Sequence, residues 1–299
     1  MKIAEFFLCA MVLAVTVPAQ AQSPAPAKVK VVATFSILGD LVQNVGGDHV
    51  DVSVLVGPDS DVHTFEPSPQ DNIALSKAQV IFENGLYLEP WLEKLYGASG
   101  AKARRVVVSD GVEPIEIQAG QSMETDPHIW HDVANAMIMV EHIRDALIAA
   151  DGAHAGYYKE NAENYLAKLG ALDQGIIETL KDIPDERRRL VTSHDTFGYF
   201  ARRYHFTVVG AAIESATTEA ADPSAAEIAQ LVEKIKKAGV STVFIENTHN
   251  PKLLQAIAAE AKVNVAPALY TDALGRSGSE GDTYMKMIRH NAKIFAQSL

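Results

Sequence analysis

Short runs of β-branched and other apolar residues alternate along the chain with segments whose apolar residues recur every three or four positions. Continuous apolar runs predict strands buried on both faces, as in parallel sheets covered by helices. Eight runs have this character, four in each half of the chain: 29–35, 50–56, 80–83, 106–109, 190–193, 207–213, 240–246 and 263–268. The pattern therefore predicts an α/β protein of two lobes, each with a four-stranded parallel sheet flanked by helices.

A long amphipathic segment separates the two sets of strands. From His154 to Lys181, apolar side chains recur at steps of three and four: Tyr158, Ala162, Tyr165, Leu169, Leu172, Ile176 and Leu180. A helix of this length is about 42 Å long at 1.5 Å per residue, enough to pack across both lobes. We therefore predict a first lobe at 29–153, a linking helix at 154–182 and a second lobe at 183–299. A coiled-coil arm is the alternative interpretation of the stripe.

The N-terminal segment has the pattern of a secretory signal. Lys2 precedes an apolar run at 6–17, and residues 19–21 form the small-residue cleavage site Ala-Gln-Ala. The apolar run is too short to span a membrane. We expect residues 1–21 to be removed on export and residues 22–28 to form a disordered leader.

The only cysteine, Cys9, lies inside the predicted signal. The residues before it do not form a lipoprotein cleavage box, so we expect no lipid anchor. The mature chain then has no disulfide, thiolate metal ligand or cysteine nucleophile, and histidine, aspartate or glutamate must hold any metal. The signal predicts export, and no later apolar run reaches the 18 residues of a membrane span. We therefore expect a soluble periplasmic protein.

The net charge of the chain limits the classes of molecule that we expect it to bind. Of 299 residues, 38 are acidic and 26 basic, and the net charge is −12. A chain this acidic repels phosphate backbones, so nucleic acid is not an expected partner. Neither GxxxxGK[ST] nor GxGxxG occurs in the sequence, which argues against a nucleotide-binding regulator.

Four side chains are candidate metal ligands because each follows a predicted strand. His63 comes after the second strand, His128 after the fourth, His194 ends the fifth, and Asp272 follows the last. Ligands of open parallel sheets bind beyond the carboxyl ends of the strands. The set offers two ligands from each lobe, and three imidazoles with one carboxylate suit a divalent cation in tetrahedral coordination.

The other histidines are interpreted without a function. Surface or packing roles are expected for five of them: His49, His142, His154, His205 and His290. His249 is expected to be exposed in a loop at 247–250. His131 lies three residues from His128 at a helix entry, where both side chains need not point the same way, and we interpret it as a surplus surface histidine. The alternative is that His131 supports the ligands from behind.

Four segments carry a family resemblance: DVHTFEPSPQD, DPHIWHDVANA, VTSHDTFGYFARRY and LYTDALG. They resemble the metal-site motifs of the zinc- and manganese-specific solute-binding proteins of ABC importers, and the similarity extends from about residue 29 to the C-terminus. The resemblance implies two lobes joined by a long helix, with one metal ion in the cleft held by the matching His63, His128, His194 and Asp272. It also implies delivery to a membrane permease whose ATPase is a separate chain. A monomer is expected, and loading by a metal chaperone stays open.

The ligand set favours zinc over manganese. Three neutral imidazoles and one carboxylate suit zinc, whereas manganese prefers oxygen-rich sites. Manganese-specific members of the resembled family typically have glutamate where this chain has His194. Many zinc members carry a histidine-rich loop before the second motif, but residues 117–124 contain no histidine. Zinc is therefore the expected cargo, with manganese or iron as the alternative.

A secreted zinc hydrolase is the rival function. The sequence has neither HExxH nor GxSxG, and four protein ligands leave no position open for a reactive water. We therefore expect a carrier and no catalytic residues. Release requires one lobe's ligands to move, and Gly275, Gly278 and Gly281 after Asp272 predict a loop that can do so.

Overall fold

The computed structural model describes residues 27–119, 122–219 and 222–299. The predicted signal at 1–21, including Cys9, lies outside the described residues. So does the predicted leader, apart from its last two residues.

The first half is built on a four-stranded parallel sheet with the strand order β2-β1-β3-β4. Its elements are β1 (Val29–Phe35), α1 (Ser36–Gly46), β2 (Val50–Val56), α2 (Pro69–Lys77), β3 (Val80–Glu83), α3 (Leu92–Ser99) and β4 (Arg104–Val107). Three strands have the predicted bounds. The fourth was predicted at 106–109 and lies two residues earlier. It pairs with β3 in a register that places Val80 opposite Arg104.

Two short strands that the hydrophobic pattern did not indicate follow this sheet. They are β5 (Glu116–Ala119) and β6 (Ser122–Thr125), which pair antiparallel. The Glu124 carboxylate accepts hydrogen bonds from the hydroxyl of Ser215 at 2.8 Å and from the backbone N–H of Ala216 at 3.1 Å. The segment that lacks the histidine-rich loop is therefore a hairpin that touches the second half of the chain.

The second half contains four parallel strands and most of the remaining helices. After α4 (Val133–Ala150) and α5 (Ala155–Leu180) come β7 (Arg189–His194), α6 (Gly198–Tyr204), β8 (Thr207–Ile213), α7 (Ala225–Ala238), β9 (Thr242–Glu246), α8 (Lys252–Ala261), β10 (Asn264–Leu269) and α9 (Tyr284–Ser298). The strands pair through hydrogen bonds as β7 with β8 and β9 with β10. β7 lies beside β9, so the spatial order is β8-β7-β9-β10.

The long helix α5 packs into the common core. Its predicted apolar stripe is buried, and the helix contacts α1, α4 and α9. The stripe belongs to one hydrophobic cluster that includes both Val31 of β1 and Phe295 of α9. The coiled-coil interpretation was therefore wrong, because the stripe is covered by this chain's own helices. The α/β class, the parallel strands and the long helix are confirmed, whereas the lobe boundaries stay a prediction.

None of the helices in the described ranges combines the length and apolarity needed to cross a membrane.

Candidate metal centre

His63 lies in the connection between β2 and α2, which is fixed at both ends. Its backbone N–H donates to Asp61 Oδ1 at 2.8 Å, and the other oxygen of Asp61 accepts from the hydroxyl of Thr218 at 2.6 Å. A capping box formed by Ser68 and Asp71 starts α2 just beyond. The His63 segment is therefore held in place before any ligand binds.

His128 precedes α4 and is held by the aspartate two residues before it. One oxygen, Asp126 Oδ1, accepts both the backbone N–H of His128 at 2.9 Å and its ring Nδ1–H at 2.8 Å. This bond places the proton on Nδ1, so Nε2 of the neutral ring presents a lone pair.

His194 ends β7 and depends on a carboxylate from the neighbouring strand β9. Glu246 Oε1 accepts the backbone N–H groups of Ser193 at 2.7 Å and His194 at 3.1 Å. Glu246 Oε2 lies 2.8 Å from the ring Nδ1 of His194. The buried Glu246 side chain therefore occupies the space between two strand ends and orients the imidazole.

Asp272 lies in the loop after β10. Both of its carboxylate oxygens are buried without a hydrogen-bond partner among the described residues. The preceding residue ties this loop to the first half, since the Thr271 carbonyl accepts from the indole N–H of Trp130 at 2.9 Å. Buried carboxylate oxygens without partners are costly unless a cation compensates them.

The four candidate side chains converge. Nε2 of His128 lies 3.3 Å from Nε2 of His63 and 3.2 Å from Nε2 of His194. The Asp272 oxygens lie 3.3 to 3.8 Å from the three Nε2 atoms. An ion with ligands at about 2.1 Å in tetrahedral coordination has ligand atoms about 3.4 Å apart. The donor spacing therefore fits a four-coordinate ion.

Burial and charge set the protonation of these groups. Burial, reinforced by the charge of His194, lowers the pKa of His63 to about 3 and that of His128 well below its ordinary value. Burial also lowers the pKa of His194, but the carboxylates of Glu246 and Asp272 outweigh it and raise that pKa to about 10. Burial raises the pKa of Asp272 to about 6. The carboxylates that attract a proton to His194 would equally attract a metal cation, which would displace that proton.

Two of the histidines to which we assigned no function are not at the surface, where we expected them. His131 is fully buried, packs at a tilt against Phe197 with the ring centroids 4.5 Å apart, and has its Nε2 3.4 Å from the hydroxyl of Thr196. His249 is only 11% exposed and stacks on His194. The surface interpretation of both was wrong. His131 nevertheless lies outside the four converging donors.

The remaining histidines have packing or surface roles. The rings of His49 and His154 stack with their centroids 3.9 Å apart. His142 and His290 each place a ring nitrogen within hydrogen-bonding distance of a backbone carbonyl, and His205 is exposed.

The carboxylates that support the candidate histidines were not predicted from the sequence. Asp61 and Asp126 share one signal, an aspartate two residues before a candidate histidine, which the order Asp-x-His makes visible. Glu246 ends its strand but lies 52 residues from His194, so only the arrangement of β9 beside β7 brings it there.

The centre adjoins a solvent cavity of about 290 Å³ whose lining includes His63, Tyr87, Glu124 and Pro127. Its walls come from the first half, from the β5–β6 hairpin and, at Ala216 and Thr217, from the second half. It brings solvent to the edge of His63, while the other three candidate ligands stay fully buried.

Sequence relatives extend over nearly the whole chain. The manganese-binding lipoprotein MntA of Halalkalibacterium halodurans is 36% identical over 270 residues, which cover 90% of this chain and 88% of that protein. The manganese ABC transporter substrate-binding lipoprotein PsaA of Streptococcus pneumoniae is 32% identical over 277 residues, with 90% and 88% covered.

Solved structures have the same fold. The periplasmic zinc-binding protein TroA from Treponema pallidum matches with a TM-score of 0.83 and 26% identity, covering 91% of this chain and 99% of that one. The manganese-bound periplasmic metal-binding protein from Candidatus Liberibacter asiaticus matches with a TM-score of 0.81 and 28% identity, covering 90% and 98%.

The family model for ZnuA, the periplasmic component A of a zinc-uptake complex, matches residues 31–298. The match takes in every candidate ligand and all but the outermost described residues. The chain therefore belongs to the ZnuA family.

Proposed function

We propose that this protein binds one divalent transition-metal ion outside the cytoplasm and delivers it to the permease of an ABC importer. The ligands in this proposal are His63, His128, His194 and Asp272. Membership of a family named for metal uptake supports the transport role, as do relatives named as ABC transporter substrate-binding proteins.

The donor spacing is the observation that carries the proposal. His128 Nε2 lies 3.2 to 3.3 Å from the other two Nε2 atoms, and each Nε2 atom lies 3.3 to 3.8 Å from an Asp272 oxygen. All four side chains offer a ligand atom within 4.8 Å of the others. Hydrogen bonds from the other ring nitrogen orient His128 and His194 so that their Nε2 atoms face the other ligand atoms. A cation bound among these donors would stabilise the buried carboxylate and would be coordinated by the imidazole nitrogens.

Zinc is the cargo that the ligand chemistry favours. Three imidazoles and one carboxylate satisfy a borderline-soft ion that accepts four ligands. Manganese is the second candidate, because MntA and PsaA are named for manganese and the Liberibacter protein was solved with manganese bound. Manganese would gain less from three nitrogen donors than from oxygen donors.

Carriage is favoured over zinc-dependent hydrolysis. The four candidate ligands are between 0 and 2% exposed. A catalytic zinc ion keeps a position for water, which a fourth protein ligand would occupy here. Asp272→Ala would open that position. Hydrolysis by the wild-type protein that stops when a chelator removes the zinc would revive the enzyme interpretation.

Export without a lipid anchor remains part of the proposal. The relatives MntA and PsaA are both named lipoproteins. An anchored form of this chain would require processing at Cys9, whereas the small-residue site predicts cleavage after Ala21. Mass spectrometry of the exported protein's N-terminus separates the two forms.

Release to the permease, as distinct from exchange with free ions in solution, is proposed to begin at the loop that carries Asp272. This loop crosses to the first half, where Leu274 accepts from the backbone N–H of Asp59 at 2.9 Å and donates to Ser36 Oγ at 2.9 Å. Breaking these contacts would withdraw the only carboxylate of the ligand set. Structures with and without metal that share one loop conformation would contradict this step.

A competition experiment tests the cargo. The mature protein, prepared without an affinity tag, is equilibrated with equal zinc and manganese, separated from free ions and analysed for metal content. We expect one zinc per chain and little manganese. His194→Ala should lose the zinc, whereas His131→Ala should keep it. One manganese per chain from the mixture would overturn the zinc assignment, and full retention by His194→Ala would overturn the ligand assignment.

A further inference from the structure

A second group of metal-binding side chains overlaps the first. His194 and Asp272 also lie next to Glu246 and His249, and one potential ligand atom from each of these four lies within 4.8 Å of the others. The two groups share half of their members. An ion in one position would therefore exclude an ion from the other.

His249 has the features of a ligand without a partner. Its ring stacks on that of His194, with centroids 4.9 Å apart and 28° between the planes. Nδ1 lies 2.9 Å from Thr248 Oγ1 and 3.3 Å from Glu246 Oε2. Nε2 is buried without a hydrogen-bond partner among the described residues. One ring nitrogen is thus anchored while the other has nothing to bind.

His249 also reaches a route to solvent that is distinct from the cavity at His63. It lines a cavity of about 310 Å³ together with Ser193, Asp222, Asn250 and Lys252. The ring therefore lies between this cavity on one side and the buried His194 on the other.

We propose that His194, Glu246, His249 and Asp272 form a second, transient metal position, which a divalent ion occupies between the cavity at His249 and the main centre. This inference rests on the proposed function. Two imidazoles and two carboxylates suit zinc and related borderline ions. Moving the ion by exchanging two ligands while keeping two avoids releasing all of them at once.

Zinc binding by variants tests the second position. His63→Ala with His128→Ala removes two donors from the main centre and leaves the second group complete. We expect this double variant to bind one zinc in calorimetry, at least a hundredfold more weakly than the wild type. Adding His249→Phe, which keeps the stacked ring, should weaken that remaining binding by a further tenfold or more. His131→Phe in the same background is the matched control, since His131 is a buried histidine outside both groups, and it should leave binding unchanged.

The outcomes separate the two proposals. A wild-type protein that binds no zinc overturns the proposed function. Wild-type binding with none in a folded double variant overturns the second position, and so does equal binding with and without His249→Phe.

Where the double variant fails to fold, as judged by circular dichroism, exchange kinetics decide. Zinc transfer from the loaded protein to a chelator should be about tenfold slower for the single variant His249→Phe than for the wild type. Equal rates would contradict the second position.

Discussion

The aspartates at 61 and 126 each lie two residues before a candidate ligand and accept that histidine's backbone N–H. The Asp126 carboxylate also accepts from the ring Nδ1–H of His128. The fixed backbone and fixed ring together prepare the lone pairs for a metal, so the cost of ordering them is met during folding rather than during binding.

Asp126→Ala should weaken zinc binding by about 10- to 100-fold, because it removes the acceptor of the His128 Nδ1–H. Asp126→Asn keeps an oxygen that can accept this bond and should lose less. Zinc competition against a calibrated chelator measures both. Equal affinities for wild type and Asp126→Ala would show that this hydrogen bond does not position the ligand.

A buried glutamate away from the metal centre gives a pH-dependent stability. Glu89 accepts from the hydroxyl of Thr34 and from the backbone N–H groups of Asn84 and Gly85. Burial outweighs these bonds and raises the pKa of Glu89 from 4.5 to about 7. Between these pH values the folded protein binds the proton more tightly than the unfolded chain, so stability falls as the pH rises.

The free energy of unfolding of the wild type, relative to Glu89→Gln, should therefore be highest below about pH 4.5. It should fall by on the order of 3 kcal/mol by about pH 7. Urea unfolding of both proteins at several pH values measures the difference, and the comparison cancels titrations that the two share. A difference independent of pH would mean that Glu89 keeps an ordinary pKa.

Among elements, the loop between β10 and α9 carries Asp272, the proposed fourth ligand. A Cβ on Gly281 would overlap the ring of Tyr270, two residues before Asp272. Gly281 also accepts from the backbone N–H of Gly275 at 2.9 Å. Gly275 and Gly281, which predict a movable loop, also leave room for the ring of Tyr270 to pack against that loop.

Gly281→Ala should destabilise the protein by about 1–3 kcal/mol through overpacking and should weaken zinc binding, because the displaced ring pushes the Asp272 loop. Gly97→Ala is the control. It lies in α3 with open space around it and should stabilise the helix by about 0.5–1 kcal/mol. Denaturant unfolding and zinc titration of each variant provide the two readouts. Unchanged zinc affinity in a destabilised Gly281→Ala would separate the loop's packing from its ligand.

The strands and the long helix could be predicted because their signals are local. The Val-rich runs of β1 and β2 and the spaced stripe of α5 each contain their own evidence. The β5–β6 hairpin could not, because its short strands alternate little and depend on Glu124 contacting Ser215 across the molecule. The burial of His249 could not be predicted for a related reason. Its position in a loop does not indicate that the loop folds back onto His194 at the end of β7.

For the whole molecule, one hydrophobic cluster extends from β1 through α5 to α9. Such a continuous core favours cooperative unfolding in spite of the two parallel-sheet halves. The proposed centre takes ligands from both halves, so a bound ion adds a further link between them.

Heat should therefore unfold the metal-free protein in a single transition. Zinc at about 1,000 times its Kd should stabilise the folded state by about 4 kcal/mol, raising the Tm by several degrees, because the site exists only in the folded chain. Differential scanning calorimetry with zinc, and again after chelation, measures both. Two separate transitions, of which zinc shifts only one, would place all the ligands on one half.

The most direct test is a crystal structure of the zinc-loaded protein with anomalous diffraction recorded at the zinc edge. We predict a principal peak about 2.0–2.2 Å from Nε2 of His63, His128 and His194 and from a carboxylate oxygen of Asp272. A principal peak away from these four side chains, or none in protein that retains one zinc per chain, would contradict this prediction.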